Sequence, residues 1–99
     1  MYLEDYNEIF KQAIARVIQR ERKLRTDKFT IFCYENSIPK TTLNSIELGK
    51  NDSSMTTIFR IMNCMYIEGR EFMDLVNEEL PDNFWAEWRL AEPMPKEED

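Results

Sequence analysis

Glycine and proline are so few in this chain, and so placed, that they cut it into helix-length pieces. Residues 3–24 contain neither, and Leu3, Tyr6, Phe10, Ile14, Val17 and Leu24 recur at spacings of three, four and seven. That period matches the 3.6-residue turn of an α-helix and puts an apolar stripe on one face. Glu8, Lys11, Gln12, Arg16, Gln19 and Arg20 cover the rest, so one long amphipathic helix is predicted. Thr26 and Asp27 interrupt the pattern with cap-type side chains, and a short helix over about 28–36 turns Phe29, Phe32 and Cys33 inward. Asn36-Ser37-Ile38-Pro39 breaks it, with Pro39 suited to the first turn of the next helix. That third helix, about 39–48, buries Leu43 and Ile46, and Gly49 follows where a left-handed C-cap needs no Cβ.

The loop Asn51-Asp52-Ser53-Ser54 ends in capping residues. From Met55 the series Ile58, Ile61, Met62 and Met65 gives the plainest helical period in the chain. A fifth helix, about 69–79, carries Phe72, Leu75 and Val76 before Leu80-Pro81 stops it. No stretch of four or more residues alternates strictly enough for a strand. The expected fold is all-α, with five helices in about 80 residues and an extension at each end.

Composition narrows the function classes. At 99 residues the chain has room for one domain, and 42% hydrophobic residues suffice for a core. No run approaches a membrane-spanning length, and the N-terminus is acidic where a secretory signal would be basic. With two cysteines and no histidine, most zinc sites and every histidine-dependent triad are excluded. Two glycines leave no phosphate-cradling loop. An enzyme is therefore not expected, nor is any cofactor. Cys33 and Cys64 both fall on inward helix faces, which fits reduced, buried thiols in a cytoplasmic protein. The methionines Met55, Met62, Met65 and Met73 sit at helical spacing and read as core.

The net charge of −6 is not evenly spread. Residues 78–99 hold eight acids against Arg89 and Lys96, whereas residues 1–77 are neutral. Within 11–28, seven bases (Lys11, Arg16, Arg20, Arg22, Lys23, Arg25, Lys28) face only Glu21 and Asp27. A locally basic segment and an acidic end are the result.

Two short helices joined by a tight break, the second polar on its outer face, form the helix-turn-helix pattern. In such a unit the first helix braces on the phosphate backbone and the second enters the major groove. Side chains near the second helix's N-terminus must then be polar and short or flexible. Lys40, Thr41, Thr42, Asn44 and Ser45 meet that need, and the only acid in the helix is Glu47.

The string Thr42-Leu43-x-x-Ile46-Glu47-x-Gly49-Lys50, followed by Met55-x-Thr57-Ile58-x-x-Ile61, resembles the phage-repressor family of the Cro and lambda-repressor type. The resemblance covers about residues 13–76. It implies a compact five-helix domain that binds double-stranded DNA sequence-specifically as a homodimer and regulates transcription. It places Lys40, Thr41 and Ser45 at base-reading positions, Asn44 beside them, and Lys50 at a phosphate. It also implies that Glu47 pairs with an arginine of the first helix, for which Arg22 is the candidate. Arg16, Arg20, Lys23, Arg25 and Lys28 would add attraction without sequence preference. The chain departs from the family at Ser37 and Tyr66, where small residues are customary, and at Leu48, which is often polar.

On this reading residues 1–80 form the helix-turn-helix domain and 81–99 an aromatic and acidic extension. Phe84, Trp85 and Trp88 must pack on this domain, a second subunit or another protein. The prolines and acids of 92–99 read as a disordered end. A second function class stays open: a protein-interaction module, antitoxin-like or an assembly partner, that works through the acidic tryptophan-bearing end.

Overall fold

A computed structural model describes residues 1–26, 28–50 and 53–96. It is all-helical, with no strand among the described residues. Six helices follow in order: α1 (Leu3–Arg25), α2 (Phe29–Glu35), α3 (Lys40–Glu47), α4 (Met55–Cys64), α5 (Gly69–Glu79) and α6 (Phe84–Leu90). The sixth is a correction to the five expected, since 84–90 was read only as an aromatic extension.

α1 is the spine. Its 23 residues rise about 35 Å, and α3, α5 and α6 all pack against it. The radius of gyration, 15.2 Å, exceeds the roughly 13 Å of a compact 100-residue domain because this helix outruns the bundle. The core gathers Val17 and Ile18 from α1, Leu43 from α3, Ile61 and Met62 from α4, and Phe72 and Val76 from α5, each at most 1% exposed. Burying a side chain of this size stabilises the fold by about 1.5–3 kcal/mol before conformational entropy is counted.

The apolar period misplaces two side chains. Leu24 is 73% exposed because it stands about 160° around α1 from Arg22, the side on which the last turn packs. Met55 is 75% exposed because it opens α4, where the first turn has left the core. Cys33 is buried and Cys64 half-buried, and both are free thiols. Burial, followed by the nearby Glu47 carboxylate, pushes the Cys33 thiol pKa up, which keeps it protonated and unreactive.

Helix ends are more regular than the sequence suggested. α2, α3 and α4 each close with the same pair of backbone bonds. After α2, Ser37 N–H donates to Tyr34 O (3.3 Å) and Ile38 N–H to Cys33 O (2.9 Å). After α3, Gly49 donates to Ile46 O and Lys50 to Ser45 O. After α4, Tyr66 donates to Asn63 O and Ile67 to Met62 O. This is the Schellman arrangement, which needs one left-handed residue to satisfy the last carbonyls. Ser37, Gly49 and Tyr66 supply it, with φ of 55°, 69° and 61°. Ile38 and Ile67 then turn back into the core.

The starts differ in detail from expectation. Ser54 caps α4 as its spacing implied, accepting from Thr57 N–H. Pro39 stands one position earlier than predicted, as the N-cap of α3. Lys28, not Thr26, is the N-cap of α2, with Thr26 Oγ1 accepting its N–H at 3.1 Å. Asp27, Asn51 and Asp52 lie outside the described residues, as do Glu97, Glu98 and Asp99.

The C-terminal segment docks on the N-terminal half of α1 in the same chain. Phe84 is buried, and its ring stacks with Phe10 at 6.2 Å between centroids. Trp88 lies 5.0 Å from Phe10 and donates its indole N–H to Asn7 Oδ1 at 2.9 Å. Trp85 donates to Asn77 Oδ1 of α5 at 2.8 Å. Beyond α6, Glu92 O accepts from Leu3 N–H and Met94 N–H reaches Glu4 Oε2. The order expected to be lost from residue 92 therefore persists through Met94.

Candidate nucleic-acid interface

The two short helices and the turn between them are held from behind by one buried ion pair. Arg22 of α1 donates from Nε to Glu47 Oε2 at 2.5 Å and from Nη2 to Oε1 at 2.9 Å. Both side chains are about 95% withdrawn from water, at 6% and 5% exposure. The bidentate fork fits a carboxylate in one geometry only. Arg22 also donates to Thr26 O at 3.3 Å, and its guanidinium lies over the Phe29 ring at 5.0 Å. One side chain thus fixes α1, the start of α2 and the end of α3 together. Its pKa is raised, first by the hydrogen bond to Glu47, so the guanidinium stays charged.

Gly49 ends α3 against α1. A Cβ at that position would collide with the side-chain amide of Gln12, which itself donates to Glu8 at 2.9 Å. The positive φ of 69° favours glycine here, and any larger residue would also push the Gln12 amide aside.

With Leu43, Ile46 and Glu47 turned inward, the opposite face of α3 is set by the 100° step between residues. Thr41 is exposed near its centre, Asn44 is exposed toward one edge, and Ser45 is half-buried on it. Leu48 lies on the same face at 47% exposure and adds an apolar surface among the donors. Thr42, half-buried, and Lys40, exposed at the first turn, fall on opposite flanks and do not share the outer stripe. Lys50 is exposed just past the C-cap. The outer stripe therefore brings together Thr41, Asn44 and Ser45, with Lys40 and Thr42 on its two flanks.

The basic segment of α1 behaves otherwise. Arg16 and Arg20 both pair with Glu79 of α5, at 3.0 and 2.5 Å, and Arg20 also meets Glu21 at 3.4 Å. These two arginines stand roughly 120–160° around α1 from Arg22, so they serve α5 while Arg22 serves α3. Arg25 donates to Met65 O at 2.9 Å and pairs with Glu21 at 3.2 Å. The hydrogen bonds from Arg16 and Arg20 hold the Glu79 carboxyl below its ordinary pKa. Three of the five cations expected to attract phosphate are thus engaged in holding helices together, and Lys23 and Lys28 form no ion pair among the described residues.

Arg60 was missed by the sequence reading. From α4 it donates to Asn36 O at 2.6 Å, at the carbonyl end of α2, and it is exposed beside the turn. A cation at a helix C-terminus is favoured by the dipole. Its only signal in sequence was an unpaired arginine in an otherwise uncharged helix.

No family model, no curated protein and no solved structure matches this chain. No helix among the described residues is long and apolar enough to cross a membrane, and no group of metal-ligating side chains occurs among them.

Proposed function

We propose that this protein is a sequence-specific DNA-binding regulator of the phage-repressor type, reading the major groove with α3 as a homodimer. The observation that carries the reading is the outer face of α3: Thr41, Asn44 and Ser45 present donors there, with Lys40 exposed at the flank of the first turn, on a helix locked from behind by Arg22 and Glu47. Lysine can donate to guanine acceptors, and hydroxyl and amide side chains can bond base edges or flanking phosphates. Lys50, Lys28 and Arg60 are the cations available nearby for phosphate. A single helix of this length reads only a few base pairs, so a second half-site about 34 Å away would supply specificity.

The acidic end does not oppose this reading. Glu87 is anchored at Tyr6 (3.3 Å), and the helix-turn-helix bracket is anchored at Arg22. Sixteen residues of α1 separate those anchor points, about 24 Å. That is about three Debye lengths at physiological salt, which are about 8 Å each. The competing reading, a protein-interaction module working through the C-terminal tryptophans, is weakened by Phe84 being buried and by both indole N–H groups having partners in the same chain.

Competition binding on a library of randomised duplexes tests the assignment. Lys40→Ala and Ser45→Ala should each cost on the order of 1–3 kcal/mol on the preferred site and relax one base position. Lys50→Ala should weaken all sequences about equally. Indistinguishable profiles for the three variants would contradict the assignment of α3 as the reading helix.

A further inference from the structure

The outer stripe of α3 presents groups that are unevenly suited to the four bases. Leu48 belongs to it together with Thr41, Asn44 and Ser45. As the C-cap it keeps near-helical geometry, with φ −90° and ψ −3°, so it continues the 100° step between residues. It stands one turn beyond Asn44 and Ser45 and two beyond Thr41, about 10.5 Å along the axis from Thr41. That length fits a major groove roughly 12 Å wide. Helical side chains lean toward the N-terminus, so Leu48 covers the turn that carries Asn44 and Ser45 instead of projecting off the helix end.

The usual partners of a G·C pair are missing from this stripe. Guanine is bound best by arginine or lysine through O6 and N7, and cytosine by a carboxylate that accepts from its N4 amino group. No arginine lies on the stripe, and Lys40 stands at its flank. The only acid of α3, Glu47, is turned inward and accepts two hydrogen bonds from Arg22. Hydroxyls serve either kind of pair, so Thr41 and Ser45 do not choose between them.

Asn44 and Leu48 do choose. Asn44 is exposed, and its amide can accept from adenine N6 through Oδ1 while donating from Nδ2 to N7, a donor and acceptor side by side that guanine does not offer. Leu48 is 47% exposed among the donors. An apolar side chain set against a polar base edge would leave that edge stripped of water and unpaired. The one apolar group that base pairs present in the major groove is the thymine C5-methyl. Residues four apart on a helix have Cβ atoms about 5–6 Å from each other, so the two side chains can serve neighbouring base pairs.

We infer that the outer stripe of α3 selects A·T pairs, with Asn44 bonded to an adenine and Leu48 packed on a thymine methyl. The inference rests on α3 being the reading helix, and it leaves guanine to Lys40 at the flank.

The test takes the duplex selected from the randomised library, rebuilds one half-site with single base analogues and titrates it with the full chain by anisotropy. Uracil in place of thymine removes only the methyl, and 7-deazaadenine in place of adenine removes only N7. At one thymine the uracil form should bind about fourfold more weakly, as expected for one buried methyl group, and at one adenine the 7-deaza form about tenfold. Leu48→Ala should abolish the first effect and keep the second, Asn44→Ala should do the reverse, and Leu48→Met should keep both. Each effect is a ratio within one variant, so a general loss of stability cancels. A selected site with G·C at these positions, indifference to uracil, or a uracil effect that persists in Leu48→Ala would overturn the inference while leaving DNA binding intact. A chain that binds no duplex would overturn the reading role of α3 and the inference together.

Discussion

Ser37 and Tyr66 each hold a side chain in the left-handed conformation that Gly49 adopts without strain. A Cβ there costs about 1–2 kcal/mol, partly offset because glycine is also freer when unfolded. Ser37→Gly should therefore stabilise the fold by about 0.5–1 kcal/mol, read as a higher urea midpoint with unchanged slope. A lower midpoint would mean that the serine side chain contributes more than its backbone costs. The pair Arg22 and Glu47 predicts the opposite sign. Removing either leaves a buried charge unpaired and should cost about 3–5 kcal/mol, whereas removing both should cost clearly less than the sum. Additive losses in denaturant melts would show that the two are not coupled. The sequence made Gly49 legible by local turn chemistry, and Ser37 and this pair only through the family resemblance. Tyr66 was recognised as a departure, but nothing in its neighbours announced a third cap of the same kind.

Among the helices, α1 to α5 were readable because each has its own apolar period and its own stop: Pro39, Gly49 and Leu80-Pro81 fall where the chain turns. α6 was not, since seven residues with three aromatics carry no period and are ordered by contacts with Phe10, Tyr6 and Asn7 far away in sequence. The same limit explains Arg16 and Arg20. Local charge counts see a basic segment, while the acid that engages them, Glu79, is about sixty residues on. That contact has a pH signature. A carboxyl held below its ordinary pKa contributes stability that is fully present above the unfolded value and is lost as pH falls through the folded one. Between about pH 5 and about pH 3 the parent should thus lose more stability than Glu79→Gln, in thermal melts at matched salt. Equal losses would mean that the pairs holding α1 to α5 contribute nothing net, as exposed pairs can.

At the scale of the whole molecule, the long α1 separates two bodies of charge and surface. Its C-terminal part, through Arg22, carries the polar face of α3, and its N-terminal part carries the acidic, aromatic C-terminal segment. A chain of net charge −6 can on this account still bind a polyanion, because Glu79 is held by Arg16 and Arg20 and Glu87 is anchored about 24 Å along α1 from Arg22. The measurement that tests this most directly is anisotropy of a labelled random duplex titrated with the protein at two salt concentrations. The account predicts binding at low salt that weakens steeply as salt rises, with a log–log slope set by the phosphates that Lys28, Lys50 and Arg60 can reach, of about −3 for each copy bound. Absence of binding at low salt, or an affinity that does not change with salt, would contradict it.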